Sequence, residues 1–233
     1  NPLSTGSMTC IEIDANGVQI PGFSDGINGG VQVPIGTRVK CTAINQTAEL
    51  RLAKEVVNDN GGTAVPSDWT LTATPTGTFP AGLPVVTRPG APIASAQYVN
   101  VRPGVTYNLA ELNGPPGYQN THLECQIDGP ATDATSITLQ PLQSGTCFWV
   151  NDDRPATLTL VKVVNNGTTG ATAAPANWTL RAAGAVTITG PGNSAAVTNQ
   201  TVPAGSYSLA ESGGPAGYTA SAWSCTGGTL TGS

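Results

Sequence analysis

The stretch YNLAELNGPPGY at residues 107–118 is repeated as YSLAESGGPAGY at residues 207–218, which lies 100 residues further along the chain. Cys125 and Cys225 keep the same spacing. A match that recurs at a fixed offset indicates an internal repeat, and it has to be recognised before single residues are interpreted. The sequence therefore contains two copies of one domain.

The repeat extends upstream of this stretch. The segment LRLAKEVVNDNGGTAVPSDWTL, which contains Lys54 and Trp69, matches LTLVKVVNNGTTGATAAPANWTL, which contains Lys162 and Trp178. Because lysine and tryptophan recur in the same order in both segments, the two copies share more than their glycine-rich turns. The tryptophans are expected in the core of each copy.

The end of the first copy also has an earlier counterpart in the chain. GTCFWVNDDRPATLTLVK at residues 145–162 resembles GTRVKCTAINQTAELRLAK at residues 36–54. We therefore expect residues 1–46 to be the closing part of a preceding repeat and 47–152 to be a complete repeat domain. Residues 153–233 are then a second repeat that lacks its last strand or strands.

Short alternating runs such as LRLAKEVV, DWTLTATP and VTYNLAEL are bounded by Gly, Pro and Asn. Alternation of this kind is typical of half-buried β-strands joined by turns. The chain's 29 Gly and 19 Pro favour turns over helices. We expect an all-β fold of tandem antiparallel β-sandwiches, of the immunoglobulin-like or prealbumin-like kind.

Composition argues against several classes of function. The formal net charge is -5 and no run of Lys or Arg forms a patch, so nucleic acid is an unfavourable partner. No apolar stretch reaches the ~18 residues that a membrane span needs. There is no catalytic triad motif, nucleophile elbow, metal cluster or phosphate loop, so we expect neither an enzyme nor a bound metal or cofactor.

The five cysteines show no CxxC pair, which suits disulfides in an oxidising compartment better than a zinc site. The repeat alignment favours Cys125 with Cys147 and Cys10 with Cys41. Cys225 is then unpaired or pairs outside the chain. Spacing alone leaves the connectivity open, and free buried thiols are the alternative, because cysteine also packs as a small hydrophobe.

Each copy places a lysine and a glutamate on strand faces that are otherwise apolar. Alternate residues of a strand share a face, so Lys54 lies with two leucines and a valine, and Glu111 lies with a tyrosine and a leucine. Lys162 and Glu211 repeat the pattern in the second copy. Asn151 shares its phase with a cysteine and a tryptophan on the last strand of the first copy.

A buried ammonium and a buried carboxylate must pair or become neutral, because an isolated buried charge costs several kcal/mol. Desolvation lowers the pKa of the lysine and raises that of the glutamate. A neutral amine can attack the side-chain carbonyl of an asparagine within reach, while the acid polarises that carbonyl and shuttles protons until ammonia leaves. The alternative is a buried Lys54–Glu111 salt bridge, with Asn151 capping a turn.

The strand lysine, the twice-found YxLAExxGPxGY and a last strand ending in Asn resemble the collagen-adhesin B-type, or SpaA-type, prealbumin-like domain of Gram-positive surface proteins and pilins. The resemblance spans essentially the whole chain, and we expect an actinobacterial source. It implies that Lys54 bonds Asn151 with Glu111 promoting the isopeptide bond. It also implies the same roles for Lys162 and Glu211, although the second copy lacks the asparagine. The extra cysteines depart from the family pattern, as does the lack of a sorting signal or a clear polymerisation lysine.

Three functions follow as hypotheses. The first is a stalk or fibre segment that is extracellular, attached to the cell surface or cell wall, and in contact with neighbouring repeats or copies of itself. The second is an adhesin that binds a host protein or glycan through its loops, of which 75–97 is longer than its counterpart 182–200. The third is a head-to-tail filament in which residues 1–46 of one copy complete the next by strand donation.

Overall fold

The structure is a computed structural model, and it describes residues 5–21, 31–77, 82–168 and 170–231. The expected closing segment 1–46 and the long loop 75–97 therefore lie partly outside the described residues. The chain divides into two compact units, one formed by residues 1–58 with 63–153 and the other by 59–62 with 154–233. The boundaries of the repeat domains, at 1–46, 47–152 and 153–233, stay a prediction.

Where the structure describes it, the first unit consists of strands and one short 3-10 helix at Pro66–Asp68. Its described strands are β1 Thr5–Ile13, β2 Gln19–Ile20, β3 Val39–Gln46, β4 Ala48–Val57, β5 Thr70–Pro75, β6 Val86–Pro89, β7 Tyr98–Val101, β8 Thr106–Leu112, β9 Tyr118–Ile127, β10 Thr132–Asp133, β11 Ser136–Thr138 and β12 Ser144–Asp153. They form three sheets, in the orders β2-β1-β3, β10-β9-β12-β4-β7 and β11-β8-β5-β6.

The five-stranded and four-stranded sheets of the first unit enclose one core. Alternation along each strand sends every second side chain inward. The buried apolar side chains come from both sheets and are Leu50, Leu52, Trp69, Leu71, Tyr107, Leu109, Ile137, Leu139 and Trp149, among others. This arrangement confirms the expected β-sandwich.

Among the described strands, pairing is antiparallel with one exception, which the sequence pattern does not reveal. β12 runs parallel to β4, with Lys54 opposite Trp149 and Val56 opposite Asn151. On its other side β12 is antiparallel to β9, and the register shifts between Val150 and Asn151. The first and last strands of the repeat are therefore direct neighbours in the middle of one sheet.

The second unit repeats part of this plan. Its described strands are β13 Ala156–Leu158, β14 Trp178–Ala183, β15 Thr187–Pro191, β16 Gln200–Val202 and β17 Ser208–Gly213. They pair as β13-β16 and as β15-β14-β17, with 3-10 helices at Pro175–Asn177 and Ala195–Val197. Its core contains Leu160, Leu180, Ala182, Ile188, Val197 and Val202.

The second unit differs from the first beside its lysine. Residues 159–166 correspond to the later part of β4, yet they form no strand in the described structure. Val161 is 60% exposed and Val163 is 81% exposed. The later part of β4 gains its ladder from β12, and the described part of the second unit offers no strand in that place. Among the described residues, no helix has the length and apolar character needed to cross a membrane.

Candidate functional site

Lys54 is a fully buried cation in the middle of the five-stranded sheet, with an exposed fraction of 0%. Its Nζ donates a hydrogen bond to Glu111 Oε2 at 2.9 Å. The same Nζ lies 4.7 Å from the centre of the Trp69 ring, whose face attracts a cation. Burial lowers the pKa of Lys54, and the hydrogen bond and charge of Glu111 partly oppose that shift. Lys54 therefore loses its proton more readily than an exposed lysine does, and its neutral amine is the nucleophilic form.

Glu111 approaches the lysine from the facing sheet. It lies on β8 opposite Leu71 of β5, and its side chain is 19% exposed. Its two carboxylate oxygens are used separately, since Oε2 accepts from Lys54 and Oε1 accepts from Asn151 Nδ2 at 3.0 Å. One carboxylate thus bridges the amine and the amide across the core.

Asn151 is buried near the end of β12, with an exposed fraction of 3%. The register shift next to it is typical of a β-bulge, which changes the direction of a side chain at a strand end. Its Oδ1 accepts a hydrogen bond from Asn120 Nδ2 on β9 at 3.0 Å. Lys54, Glu111 and Asn151, each singled out from sequence, therefore lie in one hydrogen-bonded group, and Asn120 joins them as a residue that sequence reasoning missed.

This group holds the components of amide exchange. An amine of lowered pKa, a carboxylate able to accept and return protons, and a carboxamide are held in a largely desolvated place. Such proximity is the main requirement for a reaction between weakly reactive groups. General acid–base help from a carboxylate within hydrogen-bond distance supplies the proton transfers.

A glycine packs against the lysine in both units. A Cβ on Gly90 would lie 2.0 Å from the Pro66 carbonyl oxygen and 3.1 Å from Lys54 Cβ. A Cβ on Gly192 would lie 2.8 Å from Lys162 Cβ. The close approach of these backbones therefore depends on the absent side chain. These glycines were not recognised from the sequence, because Gly90 follows Trp69 by 21 residues whereas Gly192 follows Trp178 by 14, so the two repeats share no common spacing here.

The second unit contains the same ion pair in a more open setting. Lys162 Nζ lies 2.7 Å from Glu211 Oε2, and the two side chains are 15% and 21% exposed. Lys162 Nζ also lies 4.7 Å from the centre of the Trp178 ring. A cavity beside this pair is lined by both charged residues and by residues 220–224. Within the described residues of this unit, no asparagine side chain binds Glu211.

Four of the five cysteines form two disulfides. Cys10 and Cys41 lie opposite each other on β1 and β3, and Cys125 and Cys147 lie opposite each other on β9 and β12. Cys225 is free and exposed. The second bond ties the beginning of β12 to its neighbour, while Asn151 lies near the other end of the same strand.

Comparison with known proteins places the chain among domains of this type. The family model of the prealbumin-like fold domain, of SpaA type, matches residues 45–148 and 153–233. Among solved structures, the major pilin from Streptococcus pyogenes is similar at 10% sequence identity, with a TM-score of 0.32. That match covers 64% of this chain and 92% of the pilin chain. No curated protein sequence matches the chain.

Proposed function

The chain belongs to the prealbumin-like fold domain family, and from that premise we propose that it is a structural segment of a repetitive extracellular protein. It forms part of a stalk or fibre at the cell surface, attached to the cell wall and bordered by neighbouring repeats. The repeat 47–152 is fastened by its disulfide and by an amide between Lys54 and Asn151. The segment 153–233 is a second repeat of the same kind.

The observation that carries this proposal is the bridging position of Glu111. Its Oε2 is 2.9 Å from Lys54 Nζ, and its Oε1 is 3.0 Å from Asn151 Nδ2. An ordinary buried salt bridge needs only the first contact. The second contact brings to the same carboxylate the nitrogen that must leave as ammonia.

The reaction is a single turnover within the chain. Lys54 Nζ, as a neutral amine, attacks Asn151 Cγ, and its surplus proton passes to Glu111. The protonated Glu111 then gives a proton to Asn151 Nδ2, the Cγ–Nδ2 bond breaks, and ammonia leaves. A new Nζ–Cγ amide remains, and Glu111 returns to its starting state.

The cross-link suits a protein that carries tension. Lys54 is on the first strand of the repeat and Asn151 is on the last, and the two strands are parallel neighbours. A pull on the chain would pass from β4 to β12 through the amide. The strands between Lys54 and Asn151 in the sequence would then bear none of that force. This property suits a stalk better than a soluble enzyme.

The intact mass of the reduced chain tests this function. We expect the chain to be lighter by one ammonia than its sequence, and the Lys54→Arg variant to have its full sequence mass. The matched variant Lys162→Arg should show the same loss of one ammonia as the unsubstituted chain, because no described asparagine contacts Glu211. A full sequence mass for the unsubstituted chain would contradict the amide.

Strand donation is a second candidate function, and the cavity beside Lys162 and Glu211 favours it. In the first unit the corresponding place is filled by β12. The occupant we propose is β3 of a second copy, because Cys41 and Asn45 correspond to Cys147 and Asn151. Its entry would require the thiolate of Cys225 to attack Cys41 Sγ and release Cys10, which is ordinary thiol–disulfide exchange.

Native mass spectrometry of the full chain tests strand donation. A ladder of oligomers that disappears in the Cys225→Ser variant supports it, and a single monomeric species overturns it. The adhesin alternative rests on the length of the segment 75–97 alone. The segment is not a continuous loop, because the structure forms β6 at Val86–Pro89 within it, and residues 78–81 lie outside the described structure.

A further inference from the structure

We propose that Asn120 is a catalytic residue of the cross-linking reaction, which donates a hydrogen bond to the oxygen that becomes negatively charged in the transition state. This inference rests on the proposed function, since it concerns the attack of Lys54 on Asn151. Asn120 Nδ2 lies 3.0 Å from Asn151 Oδ1. Attack on the carbonyl carbon moves charge onto that oxygen, and a donor already in place stabilises it.

The hydrogen-bond network fixes which end of each amide is nitrogen. Asn120 Nδ2 lies 3.0 Å from Asn151 Oδ1, 3.1 Å from the carbonyl oxygen of His122 and 3.5 Å from that of Val150. The two backbone atoms are acceptors only, so the terminal group of Asn120 that faces them must be its NH2. Asn151 then turns its oxygen to Asn120 and its nitrogen to Glu111.

This orientation divides the work between two side chains. Glu111 contacts Lys54 Nζ and Asn151 Nδ2, the two nitrogens between which protons must move. Asn151 Oδ1 accepts its hydrogen bond from Asn120 instead. Glu111 is therefore the proton carrier, and polarisation of the carbonyl is assigned to Asn120.

The position of Asn120 on β9 explains how it reaches the site. Asn120 is exposed and lies opposite Asn151 in the antiparallel ladder, directly after the register shift at Val150. The residue 100 positions later, on the second repeat, is Ala220. The second unit thus keeps the lysine and the glutamate of the site but lacks the donor as well as a described acceptor asparagine.

The rate of ammonia loss measures the role of Asn120. Chains would be produced by pulsed cell-free synthesis, and the cross-linked fraction would be followed by intact mass after reduction. We expect Asn120→Ala to slow the reaction by about 10- to 100-fold. Removing one donor from a buried oxyanion site has an effect at the top of this range or above it, and the effect here should be no larger because Asn120 is exposed. An unchanged rate would overturn the role of Asn120 while leaving the proposed function intact.

A second variant separates catalysis from packing. At neutral pH the carboxylate of Asn120→Asp cannot donate to Asn151, so this variant should react more slowly than Asn120→Ala. Below about pH 4 the carboxyl of Asn120→Asp gains a proton and can donate a hydrogen bond. The rate of Asn120→Asp divided by the rate of Asn120→Ala should then rise above one. Because both variants keep Lys54 and Glu111, the titration of those two groups cancels in the ratio.

The stability of both variants is compared in a chain that cannot react, the Lys54→Arg background. Equal melting temperatures there, together with the pH-dependent ratio, would establish a chemical role. A ratio independent of pH would show that Asn120 only packs, and would overturn the inference. If the unsubstituted chain itself loses no ammonia, the proposed function fails and this inference fails with it.

Discussion

Asn151 Nδ2 lies 3.0 Å from Glu111 Oε1, so the last strand of the repeat is hydrogen-bonded through the core to a glutamate of the facing sheet. The other oxygen of that carboxylate is held by Lys54. A single side chain therefore connects β4, β8 and β12.

Replacement of Glu111 by glutamine should stop the loss of ammonia, because the amide cannot accept and return protons. It should also lower the free energy of unfolding by about 3–5 kcal/mol or more, since breaking a buried pair leaves the other charge uncompensated. Intact mass and urea unfolding would measure the two effects.

Glu211→Gln is the control for that variant. Its pair with Lys162 is partly exposed, at 15% and 21%, so solvent screening should keep the destabilisation well below that of Glu111→Gln. An equal loss of stability in the two variants would contradict the importance we give to burial.

The stability of a chain that cannot cross-link should depend on alkaline pH. Burial lowers the pKa of Lys54 in the folded state, so the unfolded chain binds more protons between that lowered pKa and the ordinary value of 10.5. The free energy of unfolding therefore rises with pH across this window. Urea unfolding of Asn151→Ala, with Cys225→Ser to prevent disulfide exchange, would measure the slope.

The chain with Cys225→Ser alone provides the comparison. If its Lys54 is already an amide, the nitrogen no longer titrates, and the slope contributed by this lysine should vanish. Equal slopes in the two chains would indicate that Lys54 is a free amine in both.

Loss of the disulfide between Cys125 and Cys147 should destabilise the first unit by about 2–4 kcal/mol, because the unfolded chain regains freedom in the closed loop. The double variant Cys125→Ser, Cys147→Ser should still lose one ammonia, since β12 keeps its ladders with β4 and β9. Denaturant unfolding and intact mass would be read on the same sample. A full sequence mass would show that the disulfide is needed to place Asn151.

Gly90→Ala should destabilise the repeat and slow the cross-link. The new Cβ would lie 2.0 Å from the Pro66 carbonyl oxygen, so the backbone beside Lys54 must move. Gly129→Ala is the matched control, because its nearest atom would lie at an ordinary 3.7 Å. A similar melting temperature for the two variants would contradict the steric role of Gly90.

The β-sandwich and most residues of the site could be predicted from the sequence, because repetition and alternation are visible in the order of residues. Alternation put Lys54 and Glu111 on inward faces, and the structure buries Lys54 fully. Other features depend on pairing between distant segments. The parallel pairing of β4 and β12 is one such feature.

Asn120 was missed for a related reason. It is exposed in a polar run of β9, and only the register shift at Val150 places it beside Asn151. The glycines Gly90 and Gly192 were missed because a close backbone approach leaves no periodic signal. A comparison of the two repeats at Asn120 and Ala220 was the one signal in the sequence that could have pointed to that site.

The central place of β12 in its sheet also sets an order of events during synthesis. Lys54 and Glu111 emerge from the ribosome well before Ser144–Asp153, and the sheet is complete only when that last strand enters between β9 and β4. In the proposed reaction, Lys54 would therefore meet its acceptor Asn151 only when this final strand is in place. The amide would then mark each repeat that had finished folding, and the loss of one ammonia in the intact mass would detect it.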